Sequence, residues 1–239
     1  VQRIVEMKLN EGIAKYGAKE GTVVVMDPVS GGILAMASYP AYDPRNFGKF
    51  DKDLYKNPAV ANAFEPGSTF KILVIAAGLS EKVITPTATV DETGPVQIGQ
   101  YQIRTWNNEY HGQINMADVL RYSSNVGMVA IVKKLGKEKF LKYIKEFSFG
   151  QLTGIDLEDE TTPDLRQDTD WREIDLATAS FGQGIAVTPM QMIRAVSVIA
   201  NGGQLMEPHV VKSIKDDKSS FEIKPKVIRE VIKPSTAKI

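Results

Sequence analysis

The 239-residue sequence predicts a mixed α/β (α+β) fold, on three observations. Two apolar, partly β-branched runs, Thr22 to Met26 and Ile33 to Ser38, flank the turn-forming stretch Asp27-Pro28-Val29-Ser30-Gly31-Gly32 and read as a β-hairpin. The segment Ile72 to Leu79 is apolar on every side, which for a helix means burial at the centre of a domain. Thr188-Pro189-Met190-Gln191 places threonine as N-cap, proline at the first helical position and glutamine at the third, ahead of apolar residues that run to Ala200.

The remaining elements follow in chain order. Ile4, Val5, Leu9, Ile13 and Tyr16 recur at helical spacing with no start signal before Val1, so the chain is expected to begin within a helix that has been cut. Tyr39 to Pro66 is rich in Pro, Asn, Asp and aromatic residues without steady periodicity and reads as a long, ordered surface loop. Asn115 to Tyr122, Val126 to Leu135 and Glu138 to Phe147 read as three helices, the first opened by Asn115 and Asp118 at capping-box spacing and the last two separated by Gly136. Asn201-Gly202-Gly203 closes the helix begun at Thr188. Val210 to Ile214, Phe221 to Ile223 and Val227 to Ile232 read as short strands or edge pieces. Pro234-Ser235-Thr236 resembles the start of a helix that the sequence does not complete, and the chain is expected to be cut there as well.

Composition removes several classes of chemistry. Lys+Arg and Asp+Glu both total 29, so net charge gives no support to nucleic acid as a partner. With no Cys and two scattered His, disulfides, thiolate nucleophiles and cysteine-ligated zinc are excluded and a histidine metal site is not expected. No apolar stretch approaches the roughly 20 residues that span a bilayer.

Ser68-Thr69-Phe70-Lys71 leads straight into the apolar helix, so Ser68 is expected at a helix N-terminus with Lys71 one turn on, on the same face. A serine hydroxyl is a poor nucleophile until a base takes its proton, and a desolvated lysine has the lowered pKa that such a base requires. Alone, the tetrapeptide equally describes a serine N-cap beside a solvated lysine. Eight apolar residues after Lys71 argue against solvation and demand a polar partner for its amine. Ser123-Ser124-Asn125, between two helices, is a polar corner able to bring a hydroxyl and a carboxamide to one point, or simply a helix end followed by a cap.

Together, Phe-Glu-Pro-Gly-Ser-Thr-Phe-Lys at 64–71 and Ser-Ser-Asn-Val-Gly at 123–127 resemble the class B penicillin-binding proteins, the transpeptidases of bacterial septum and elongation. The resemblance extends through Val24 to Pro28 with Ile33 to Ser38, Tyr42-Asp43-Pro44, His111-Gly112, Ser180 to Gly184, and Thr188-Pro189. Of these, Asp27-Pro28 reads as a turn, Gly182 and Gly184 as positions of unusual torsion, and His111 as structural, since no acidic residue stands beside it in sequence. The resemblance implies a β-lactamase/transpeptidase-like fold: an antiparallel sheet with flanking helices and a helical subdomain, residues 1–239 forming one transpeptidase domain. The family's third motif, Lys-Thr-Gly or Lys-Ser-Gly, does not occur in the sequence, so the domain is expected to be incomplete at its C-terminal end and impaired as an isolated enzyme.

The same resemblance implies acyl transfer from the D-Ala-D-Ala end of a peptidoglycan stem peptide, with β-lactams as inhibitors and no cofactor. In it Ser68 is the acylated nucleophile, Lys71 its general base, Ser123 a proton relay to the leaving amine, and Asn125 an anchor for substrate or for Lys71. It further implies a place at the extracytoplasmic face of the bacterial membrane, with an anchor outside this chain and membrane-bound cell-wall synthesis proteins as partners. Alternatives remain open: a serine β-lactamase or D,D-carboxypeptidase, although no family-like loop carries the activating glutamate that class A β-lactamases need and the sequence leaves only Glu158 and Glu160 for it, and a non-enzymatic β-lactam sensor.

Overall fold

The computed structural model describes residues 1–239. Helix α1 (Gln2–Tyr16) ends at Gly17, whose left-handed φ of 62° lets its N–H reach the Ile13 carbonyl. It lies on the hairpin of β1 (Gly21–Met26) and β2 (Ile33–Tyr39), where the Gln2 amide exchanges two hydrogen bonds with the Met36 backbone. The hairpin turn is held as expected by Asp27, whose carboxylate accepts from Val29 N and Ser30 Oγ. Tyr39 to Pro66 is more structured than its composition suggested. It holds two short 3-10 turns, Pro44–Lys49 and Lys52–Tyr55, then helix α2 (Pro58–Ala61), each opened by an Asp or Asn N-cap, and α2 buries Ala59 and Val60.

A 3-10 turn, Gly67–Phe70, runs directly into α3 (Lys71–Ser80). Then come β3 (Thr89–Glu92), β4 (Val96–Ile98), β5 (Tyr101–Ile103) and β6 (Gly112–Asn115), followed by α4 (Met116–Arg121), α5 (Asn125–Leu135), α6 (Lys137–Glu146) and α7 (Glu173–Ala179). The C-terminal third contains α8 (Pro189–Ala200), β7 (Gln204–Met206), β8 (Ser213–Lys215), β9 (Ser220–Glu222), β10 (Val227–Glu230) and α9 (Pro234–Ala237). Asn115 caps α4 by accepting from Asp118 N, and both halves of the Thr188–Gln191 capping box form at α8.

The named strands pair antiparallel, as five two-stranded pieces (β1–β2, β3–β6, β4–β5, β7–β10 and β8–β9), with one isolated parallel bridge between Gly32 and His209. Pro234 does start a helix, of one turn, correcting the expectation that none would form. The centre of the fold is helical. Helix α3 touches α4, α5, α6, α8 and α9 and supplies Leu73 to Ala77 to a continuous apolar core of 35 buried residues. That burial removes every route by which a side chain at the start of α3 would reach bulk water along the helix, and so decides the environment of Lys71.

Candidate active site

Lys71 opens α3 and is 1% exposed, whereas Ser68, one turn earlier, is exposed. The Lys71 amine donates to three oxygens of one corner: the Ser123 carbonyl at 2.6 Å, Ser123 Oγ at 3.0 Å and Asn125 Oδ1 at 2.8 Å. Desolvation lowers its pKa from 10.5 to about 8, against an opposing pull from the negative charge of Glu92. Ser123 Oγ in turn lies 2.9 Å from Ser68 Oγ and donates to it. The sequence placed Lys71 one turn after Ser68, on the same helix face. No hydrogen bond joins them, and the Ser123 hydroxyl stands between. A 3-10 turn has three residues per turn and a larger rise per residue than an α-helix, which changes the relation of Ser68 to Lys71 from that of two α-helical neighbours.

Asn125 accepts from Lys71 at its oxygen, and its nitrogen donates to the Arg104 carbonyl at 3.0 Å. The expected contact with Lys71 is present. The corner itself is strained: Ser123, between α4 and α5, has φ 55°, a left-handed value uncommon for serine. This torsion lets one residue offer both its carbonyl and its hydroxyl to the same amine.

The turn that carries Ser68 is tied to a distant segment. Gly67 N donates to the Gly182 carbonyl at 2.9 Å, and a Cβ at Gly182 (φ 77°) would overlap the Gly67 backbone. Glu65 Oε1 accepts from Gly184 N at 2.7 Å, and Phe64 bridges Val187. The unusual torsions expected at Gly182 and Gly184 are therefore present, at φ 77° and 70°. Glu65 was missed in the sequence because a lone acid before Pro-Gly has no distinguishing pattern.

His111 does have an acidic partner, contrary to expectation: Glu92, 19 residues earlier, accepts from its Nδ1 at 2.8 Å. Glu158 is exposed, and Glu160 is occupied by Thr153 N, Thr153 Oγ1 and Gly154 N, so neither hydrogen-bonds to the Ser68 cluster.

The sequence profile described as "Penicillin binding protein transpeptidase domain" matches residues 21–239. The chain belongs to this family. Among curated relatives, the stage V sporulation protein D of Bacillus subtilis is 39% identical over 243 residues, covering all of this chain and 38% of that protein. A probable peptidoglycan D,D-transpeptidase, PenA, of Neisseria meningitidis is 31% identical over 231 residues, covering 97% of this chain and 39% of the relative. The crystal structure of penicillin-binding protein 3 of Mycobacterium tuberculosis, complexed with aztreonam, superposes with a TM-score of 0.90 at 29% identity, over 99% of this chain and 53% of that one. The fold is thus that of the penicillin-binding transpeptidase domains, and the chain spans less than half the length of the curated relatives it matches.

Proposed function

We propose that this chain carries the acyl-transfer centre of a peptidoglycan D,D-transpeptidase, with Ser68 as the acylated residue. One observation carries the reading: a continuous hydrogen-bonded path from an exposed serine, through the Ser123 hydroxyl, to a desolvated lysine amine. Hydroxyl protons rotate, so the same heavy atoms serve either direction of transfer.

With Lys71 neutral, Ser68 O–H donates to Ser123 Oγ and the Ser123 proton points to the Lys71 amine. Ser68 Oγ then attacks the carbonyl carbon of the penultimate D-Ala while its proton passes along the path to Lys71. The Ser68 N–H, at the start of the helix, is the donor for the developing oxyanion. Collapse breaks the bond to the terminal D-Ala, whose nitrogen takes the proton back by way of Ser123. In the second half an amine of a neighbouring stem attacks the Ser68 ester, the new amide forms, and the proton lost by the amine returns to Ser68 Oγ. Asn125 holds the Lys71 amine, and its remaining N–H is available to the stem-peptide backbone. β-Lactams, as cyclic acyl donors, would acylate the same oxygen. No group of this site calls for a metal or organic cofactor. The reading places the chain on the outer side of a bacterial membrane, where stem peptides are found, although none of its own helices is long and apolar enough to cross one.

The engagement of Glu160 elsewhere argues against a class A β-lactamase mechanism, which needs a water-activating glutamate at the site. The test is mass spectrometry of the full gene product containing this chain after incubation with a penicillin. The adduct is expected on the peptide containing Ser68 and absent in Ser68→Ala. An adduct that persists in that variant would overturn the assignment.

A further inference from the structure

Behind the Lys71 corner lies a second set of groups to which the mechanism above gives no role. Glu92 ends β3, whose alternation turns Val90 and Glu92 inward, and its carboxylate is 0% exposed. Oε2 receives the His111 N–H at 3.3 Å and Nδ1 at 2.8 Å, while Oε1 is buried without any hydrogen-bond partner. A buried carboxylate with an unsatisfied oxygen is costly, and such a group persists only where something compensates it. The imidazole it holds lies flat on the Tyr122 ring, centroids 3.9 Å apart and planes parallel. Tyr122 immediately precedes Ser123, the residue held at φ 55° that presents two oxygens to Lys71.

We propose that Glu92 and His111 form a carboxylate–imidazole brace that positions the Ser123 corner. This rests on the reading of Lys71 as the base. The brace acts at two points. Stacking fixes the tyrosine whose main chain leads into the strained torsion, so Ser123 is positioned from outside its own hydrogen bonds. The carboxylate supplies the negative charge that opposes desolvation of the amine. The titratable and charged groups around the corner are Lys71 from α3, Glu92 from β3, His111 from the segment before β6, and Tyr122, Arg121 and Asp118 from α4 and its end, the guanidinium 5.3 Å from the Tyr122 ring centroid and 3.9 Å from the Asp118 carboxylate. Arg104 contributes only its carbonyl, to Asn125.

The charge effect is read on the lysine itself and not on turnover, so this proposal and the assignment of Ser68 can fail separately. The chain is labelled with ε-13C lysine, the Lys71 resonance identified by its loss in Lys71→Arg, and its titration followed by NMR. Glu92→Gln, which keeps the shape and removes the charge, is expected to lower the Lys71 midpoint by roughly half to one pH unit. His111→Ala is expected to raise it, because water reaches the corner and relieves the desolvation of the amine. In the full gene product, His111→Ala is expected to slow penicillin acylation roughly ten- to a hundredfold, with His111→Phe, which keeps a ring on Tyr122, recovering most of the loss. An unmoved midpoint in a folded Glu92→Gln overturns the charge role. Should that variant not fold, an unmoved midpoint in a folded Glu92→Met does the same. Acylation by His111→Ala at the parent rate overturns the positioning role.

Discussion

At the scale of single residues, Lys71 ties stability and reactivity to the same proton. Its pKa of about 8 means that roughly a tenth of the amine is neutral at pH 7, and acylation is expected to rise with pH through about 8 as the free base accumulates. Lys71→Arg, which keeps the charge but has no neutral form near this pH, is expected to lose acylation across the range. Stopped-flow acylation with a fluorescent penicillin checks both outcomes. For stability, between pH 8 and 10.5 the unfolded lysine holds a proton that the folded one has released, so raising the pH favours the fold. The stability of wild type relative to Lys71→Met is therefore expected to increase over that window in urea titrations. Ser123 allows a cleaner separation. Ser123→Ala and Ser123→Gly both remove the hydroxyl, but only glycine accepts φ 55° freely, so Ser123→Gly is expected to be more stable by about 1–2 kcal/mol while both acylate slowly. The four residues of the cluster were legible through the paired motifs at 64–71 and 123–127 that carry the family resemblance, since polar side chains at the ends of apolar helices left the cap readings open. The Ser123 bridge was not, because helical spacing says nothing of a 3-10 turn or of a torsion in the loop 52 residues away.

At the scale of elements, the segment around Gly182 acts as a buttress for the nucleophile turn. Gly182→Ala would place a methyl group into the Gly67 backbone at a positive φ, and a loss of about 1–3 kcal/mol is expected in thermal or denaturant unfolding, together with slower acylation. The neighbouring cap offers a control: Thr188→Ala is expected to cost about 1 kcal/mol by loss of the α8 capping box, with little change in acylation per folded molecule. Caps and buried helices such as α8 and α3 were readable because their signals lie within a few residues of one another. The β3–β6 pair was not, since its four-residue strands are separated by two further strands and gain their pairing only from the fold. With β3 unread, the inward alternation that buries Glu92 went unread too, and His111 lost its partner.

At the scale of the whole molecule, the 239 residues contain no Lys-Thr-Gly or Lys-Ser-Gly, so the cluster has one nameable oxyanion donor. Loss of a single donor typically lowers rates by roughly 10²–10³, so a longer polypeptide that joins this chain to a Lys-Thr-Gly or Lys-Ser-Gly motif is expected to react with a fluorescent penicillin that much faster than this chain alone. Equal rates would show that the motif is dispensable. An apolar groove lined by Ile72, Ile75, Leu79, Leu120, Ile199 and Ile232 lies open beside α3, and light scattering of the isolated chain is expected to report association that rises with concentration. The contacts that build the site also span long stretches of chain: Lys71 to Ser123 over 52 residues, Ser68 to Ser123 over 55, and Glu65 to Gly184 over 119. Each is a loop that must close before its contact forms, whereas the ladder of α3 is local. The nucleophile turn is therefore expected to be last to assemble during refolding and first to open in the native state, so that the amide of Gly184 exchanges with deuterium well before those of Val74 to Ala77.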